Sequence, residues 1–427
     1  MRWRLPAAAL AAAICLLATA CQGGKPTAVQ LNPTSVAGKS AQVISKYLAI
    51  SPAPGTRNAN PASGISVRAR NGGKLGGVRV HAGVDAVTGT LSGDKSWHSR
   101  WTLAVDETYT VTATGTDDKG HPITATSTFT TLTPDSAFHT QIFEGQGGTY
   151  GVGMPIMLTF DRPITNKVAV ERSLQLKTSK PVVGAWYWDG DQAVYFRPRD
   201  YWPAYTTVSF TGHLNGVEGA LGTYGIHDLS QTFSIGQSVI AVASTTAHHT
   251  LIYVDGQLKY NWPISTGRTT MPTPDGTYLS VEKANPVRMI GGKKGTPGYY
   301  NELVNYAVRF TFSGDYYHSA PWSVVNQGVS NVSHGCVNLP PEDAQIYYQM
   351  AIPGDPITIT NSPKAGKWDD GWTEWFLGWN DYLRGSATHM AVEASPNGSK
   401  FVSPSSLPAD TASTPVETAA ASNYLAG

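Results

Sequence analysis

Ser333-His334-Gly335-Cys336-Val337-Asn338 follows His318-Ser319-Ala320-Pro321-Trp322, with the first histidine eighteen positions before the cysteine. Cys336 is one of three cysteines; Cys15 and Cys21 both lie near the N-terminus, so the body of the chain has no second thiol with which to form a disulfide. A lone thiol in an exported protein carries an oxidation risk, so it is either buried and inert or chemically employed. A free thiol is only a few per cent ionised near neutral pH, and a nucleophilic cysteine therefore needs a base within hydrogen-bond reach or a positive surrounding. Two histidines are available. His334 is two residues from Cys336 and on a strand shares its face, whereas His318 has to arrive from a neighbouring strand or loop. Gly335 permits close backbone approach beside a reacting carbonyl.

Together these residues resemble the signature of the L,D-transpeptidase (YkuD) family, a histidine followed at a distance by S-H-G-C-x-N or S-H-G-C-x-R. Ser265-Thr266-Gly267 and Thr273-Pro274-Asp275-Gly276-Thr277-Tyr278 look like the same domain's glycine-marked strand and turn. The resemblance implies Cys336 as nucleophile, His318 as base, and the Ser319 carbonyl as the group orienting the imidazole. His334, Gly335 and amides around Gly335 and Cys336 would complete the catalytic turn and its oxyanion hole. By resemblance, Tyr300, in Gly295-Thr-Pro-Gly-Tyr-Tyr300, belongs to a lid, with Tyr299 an equal candidate; Ser313, Gly314, Ser333 and Asn338 hold a stem peptide. The implied reaction joins peptidoglycan stems: a tetrapeptide donor loses its terminal D-Ala to a Cys336 thioester, and a diamino-acid amine resolves it into a 3→3 cross-link. Water as acceptor would make the same residues an L,D-carboxypeptidase, and a protein acceptor an anchoring enzyme. The thiol also implies acylation by carbapenems, and the family needs no metal or organic cofactor.

Working outward, Leu251-Ile252-Tyr253-Val254, Asp255-Gly256 and Gln257-Leu258-Lys259-Tyr260 read as a hairpin with a two-residue primed turn, opening a catalytic domain over 237–361. His248 and His249 before it read as exposed polar residues. Upstream, short alternating segments separated by turns read as two immunoglobulin-like β-sandwiches, 37–134 and 135–236. Tyr109-Thr-Val-Thr-Ala-Thr114 turns at Asp117-Asp-Lys-Gly120 and returns through 123–129; Ile156-Met-Leu-Thr-Phe-Asp161 and Ala193-Val-Tyr-Phe196 belong to the second. Trp186 and Trp188, at period two, read as one core face rather than a carbohydrate platform. Glu218 reads as a solvated charge rather than a cation ligand. Downstream, Trp368, Trp372, Trp375, Trp379 and Leu383 recur at helical spacing, predicting a Trp-rich helical C-terminal subdomain over 362–390 that buries its aromatic face, most simply against the catalytic domain. Ser, Pro, Ala and Thr over 391–427 predict a disordered tail.

The N-terminus supplies the address. Arg2 and Arg4 precede an apolar stretch over 5–20, and Leu17-Ala-Thr-Ala-Cys21 resembles a bacterial lipobox. A signal peptide over 1–20, lipidation at Cys21 and a flexible linker over 21–36 are expected, placing the protein on the outer face of the plasma membrane, toward the wall. Thirty-one basic against thirty acidic residues leave a formal charge of +1, with no electrostatic case for nucleic acid. The expected class is mainly β: two immunoglobulin-like sandwiches followed by a YkuD-type β-rich catalytic domain. A zinc site from Cys336, His334 and His318 lacks the ligands of a closed site. A papain-like protease would want an Asn orienter and disulfides. A non-catalytic peptidoglycan-binding lipoprotein would show a damaged motif, and the motif is intact.

Overall fold

In the computed structural model residues 45–131 already show why Thr, Val and Tyr alternate, because their strands pack in two layers. The structure describes residues 45–296 and 299–407, all within one compact unit spanning Gln42–Gly427. The expected signal peptide, Cys21, the linker, residues 37–44 and residues 408–427 lie outside the described residues.

One four-stranded sheet runs in the order Leu48–Ser51, Ser66–Ala69, Ser96–Ser99, Gly89–Ser92. A second runs Asp85–Ala86, Lys74–Ala82, Thr108–Thr116, Pro122–Thr130. Thr108–Thr116 and Pro122–Thr130 are the strands read from alternation, paired Thr112 to Thr126. Their turn is closed by Asp117, whose carboxylate accepts from the Lys119 and His121 amides at 2.8 Å each. Inward residues Val67, Val80, Trp97, Val111 and Phe129 form the core between the sheets.

The following region is built on a six-stranded sheet, Thr140–Ile142, Ile156–Phe160, Ala193–Pro198, Val182–Asp189, Ala391–Ser395, Gly398–Val402. A four-stranded sheet, Thr149–Tyr150, Leu229–Ile235, Thr207–Gly212, Leu174–Thr178, accompanies it. Trp186 and Trp188 are core: Trp186 is wholly buried, with its ring centroid 5.2 Å from that of Phe196. Glu218 accepts the Gly222 amide at 3.0 Å.

Two expectations fail here. Residues 391–402 are not a disordered tail but a hairpin that extends this sheet, with Val182 opposite Ala394. Ala391-Val-Glu-Ala-Ser395 alternates weakly and is short, so composition masked a strand whose partner lies about two hundred residues upstream. Nor do the tryptophans share a helix. Gly371, at φ +133, and Gly378 interrupt the segment, leaving a 3-10 turn Glu374–Phe376 and an α-helix of only Trp379–Arg384. Each ring is a separate peg, and most enter the second sandwich rather than the catalytic domain. Trp375 packs 4.3 Å from Tyr201 and donates to the Gly153 carbonyl, Trp368 meets Tyr187, and Trp372 meets Phe143.

The catalytic region sets a five-stranded sheet, Gln257–Pro263, His249–Val254, Val239–Ser244, Pro356–Thr360, Gly276–Leu279, beside a four-stranded one, Glu282–Ala284, Ala307–Arg309, Tyr316–Ser319, Val337–Leu339. Ile252, Tyr278, Phe310, Tyr317, Leu339 and Tyr347 of the helix Pro341–Met350 fill the space between. The Asp255-Gly256 turn has both residues at positive φ, 48° and 77°, as a primed hairpin turn requires.

One carboxylate ties the returning chain to the second sandwich. Glu171, fully buried on the helix Lys167–Arg172, accepts from Ser386 Oγ and Thr388 Oγ1 at 2.6 Å, from the Ala387 amide at 2.8 Å and from Trp188 Nε1 at 3.2 Å. Removing it strands four donors, of which those of Ser386 and Trp188 are buried. Glu171→Ala should cost about 3 kcal/mol or more in urea unfolding, and limited proteolysis should then cut first within 386–402; unchanged stability and cleavage would contradict this role.

Candidate active site

Parallel pairing of Tyr316–Ser319 with Val337–Leu339 puts Tyr317 opposite Val337 and His318 opposite Asn338. With side chains alternating, Tyr317 and Val337 enter the core, whereas Tyr316, His318, Cys336 and Asn338 share the other face. Cys336, His318 and Asn338 line one cavity of about 260 Å³ together with Ser333, His334 and Tyr300. The hairpin Val287–Gly291 with Tyr300–Val304 forms its far wall through Met289, Tyr300, Glu302 and Val304.

His318 is oriented through the backbone. Its Nδ1 donates to the Ser319 carbonyl at 2.9 Å, which leaves Nε2 as the unprotonated nitrogen. That carbonyl is itself fixed, because the Ala320 amide of the same planar peptide donates to Leu339 at 2.9 Å and the Ser319 amide to Asn305 at 3.1 Å. The turn before Cys336 is equally held. Ser333 Oγ donates to the Cys336 carbonyl at 2.6 Å while accepting the Gly335 amide at 3.1 Å, and Thr273 Oγ1 donates to the Gly335 carbonyl at 2.6 Å. The Gly335 amide is therefore engaged, and the amides interacting with the sulfur are those of Tyr316 and Cys336. Gly335 sits at φ +141, and a Cβ there would stand 2.1 Å from Asp315 Oδ1.

Burial governs the protonation of the pair. Desolvation, joined by the Asp315 charge, pushes the Cys336 thiol up to about 12, and desolvation pushes His318 down to about 4 against the opposing Ser319 bond. The resting site is thus a neutral thiol beside a neutral imidazole. The thiol donates to the Gly314 carbonyl at 3.9 Å.

The remaining residues divide. Tyr300 packs at a tilt against His334, centroids 4.5 Å apart, and it is Tyr300 rather than Tyr299 that lines the cavity. Ser313 does not line the cavity: its amide and hydroxyl both bond Asp370, each at 2.6 Å. Asn338 reaches the wall, but its amide nitrogen donates to Ser323 at 3.0 Å. His248, read as merely exposed, is half-buried and bonds Asn331 at 3.0 Å; Asn331 in turn accepts the Thr266 amide, steadying the approach to Ser333. Sequence reasoning missed Asp315, Trp322, Met289 and Glu302. Trp322 lay within the quoted His318 stretch, its ring 6.0 Å from His318; Met289 and Glu302 carry no local signal.

A rigid turn presenting a cysteine beside a backbone-oriented histidine, on a β-rich scaffold behind sandwich domains, defines the class of cysteine-type peptide acyltransferases. Residues 238–359 match the L,D-transpeptidase catalytic domain family, and residues 56–218 the bacterial Ig domain family. The chain is 31% identical over 350 residues to L,D-transpeptidase 5 of Mycobacterium tuberculosis, covering 80% of this chain and 77% of that protein. It is 31% identical to L,D-transpeptidase 2 of the same species over 76% of this chain and 80% of that one. The solved structure of LD transpeptidase LdtMt1 in complex with imipenem covers 53% of this chain and 100% of its own, at 35% identity and TM-score 0.45. This chain belongs to the L,D-transpeptidase family and is an enzyme of that kind.

A neutral resting pair has a direct spectroscopic consequence. From above about pH 4 until the pH approaches the thiol's own value of about 12, the protein should show no thiolate absorbance that vanishes in Cys336→Ala. A thiolate band near neutral pH would mean an ion pair instead.

Proposed function

We propose that the protein cross-links peptidoglycan stems through a thioester on Cys336, with His318 moving the protons. The observation that carries this reading is the Nδ1 bond from His318 to the Ser319 carbonyl, which leaves Nε2 as a base on the cavity that also holds the thiol. Cys336 Sγ attacks the carbonyl between the diamino acid's L-centre and the terminal D-Ala of a tetrapeptide stem as its proton passes to Nε2. The resulting oxyanion is received by the Tyr316 and Cys336 amides, since these already face the sulfur. The carbon–nitrogen bond breaks, the D-Ala amine takes the proton from His318, and a thioester remains. A side-chain amine of a second stem then attacks, His318 takes its proton, the carbon–sulfur bond breaks and the thiol reforms. The product is a 3→3 cross-link. Glu302, on the cavity wall, is the carboxylate placed to meet an incoming ammonium.

The apolar wall of Met289, Val304 and Tyr300 and the intact thiol suit acylation by β-lactams of the carbapenem class, as the imipenem complex of the LdtMt1 relative suggests. Export and anchoring through Cys21 to the outer face of the plasma membrane rest on the N-terminal sequence. The sandwiches ahead of the catalytic domain would then span from membrane to wall.

Incubation with disaccharide-tetrapeptide, followed by mass analysis, should give dimers lacking one D-Ala. Cys336→Ala should give none, and His318→Asn should lower the rate by about 10²-fold or more. Monomeric tripeptide alone would make water the acceptor and the enzyme a carboxypeptidase. In cells, Cys21→Ser should move the protein out of the membrane fraction; retention there would contradict the anchor.

A further inference from the structure

Asp315 lies behind the nucleophile, outside the roles assigned so far. It ends the turn Thr311-Phe-Ser-Gly-Asp315 and immediately precedes the strand carrying His318. The residue on one side, Gly314, receives the thiol through its carbonyl, and the residue on the other, Tyr316, turns its amide to the same sulfur. Asp315 Oδ1 sits so close to Gly335 that a Cβ there would be 2.1 Å away, so the glycine beside Cys336 makes room for this carboxyl. Oδ2 accepts a bond from Thr311 Oγ1 at 3.2 Å. A carboxyl in direct contact with the residue preceding the nucleophile needs a reason to be there.

We propose that Asp315 is a positioning residue acting through Cys336: its carboxylate restrains the thiol when ionised and releases it when protonated. The inference rests on Cys336 being the nucleophile. Its physics is Coulombic: a negative charge in a poorly solvated pocket opposes the negative charge that sulfur develops on attack. The charges of Asp315, Cys336 and Tyr300 oppose one another across the site, Asp315 raising both the thiol and the Tyr300 phenol.

Burial, with repulsion from Asp370, lifts Asp315 itself to about 6, against the pull of Lys364 and the Thr311 bond. Lys364 and Asp370 come from the segment after the catalytic sheet, Tyr278 from the strand Gly276–Leu279, and Tyr300 from the cavity hairpin. His318, pushed down to about 4, is already neutral where Asp315 titrates. The titration therefore falls in a range where neither member of the catalytic pair changes charge. Sulfur reactivity should fall as pH rises through about 6, opposite in sign to an ordinary thiol.

The test measures the second-order rate of Cys336 acylation by imipenem across pH, by intact mass, on the whole protein. Wild type should slow as pH rises through about 6. Asp315→Asn keeps an acceptor for Thr311 but no charge. It should match wild type on the acid side and exceed it on the alkaline side by about threefold or more, since a one-unit change in thiol pKa alters reactivity by about that factor after the offsetting loss of nucleophilicity. Lys364→Met, which removes the facing cation from an exposed site, should shift the wild-type inflection to higher pH without changing either plateau. A ratio of Asp315→Asn to wild type that stays constant with pH, or an unmoved inflection in Lys364→Met, overturns the proposal while leaving the nucleophile in place. No adduct in any of the proteins overturns the nucleophile reading and this one with it.

Discussion

The hydrogen bond from His318 Nδ1 to the Ser319 carbonyl is the constraint on which the site depends. A histidine whose Nδ1 meets a backbone carbonyl takes its tautomer from that partner: a carbonyl can only accept, so the ring proton must stay on Nδ1 and the lone pair on Nε2. For that to work the carbonyl must not move. The Ser319–Ala320 peptide is pinned by its amide to Leu339, the end of the strand that begins one residue after Cys336. The same pairing of strands therefore orients His318 and fixes the position of Cys336.

The second consequence is electrostatic. Both partners are buried, and burial penalises the thiolate and the imidazolium alike. In the proposed reaction charge separation would wait until substrate arrives and backbone amides can receive it, the proton moving as the sulfur attacks. An uncharged resting thiol is also poorly reactive toward oxidants, which suits a cysteine with no disulfide partner in the body of the chain.

The signature around Cys336 was legible because its elements are local: a turn that needs Gly335, a hydroxyl that folds back on its own loop, and a histidine within a strand's reach. The strands at 108–116, 122–130 and 249–263 were legible for the same reason, each announced by alternation and a turn a few residues long. What escaped depends on distant partners. Asp315 looks like any turn aspartate until Gly335 is placed against it, and Ser313 looks available until Asp370 arrives from 57 residues downstream. The tryptophans after residue 360 have a helical spacing that two glycines interrupt, and their rings are set by Tyr187, Tyr201 and Gly153 of an earlier domain. Residues 391–402 become a hairpin because Val182–Asp189 offers an open edge, and Glu171 waits for the donors that precede it.

The most direct test of the central claim is to trap the intermediate. The protein would be mixed briefly with disaccharide-tetrapeptide, quenched in acid, digested and mapped by mass. The account predicts one modified peptide, the one containing Cys336, heavier by the donor less its terminal D-Ala and stripped by hydroxylamine as a thioester must be. Turnover accompanied by an unmodified Cys336 peptide, or by an adduct on any other residue, would contradict it.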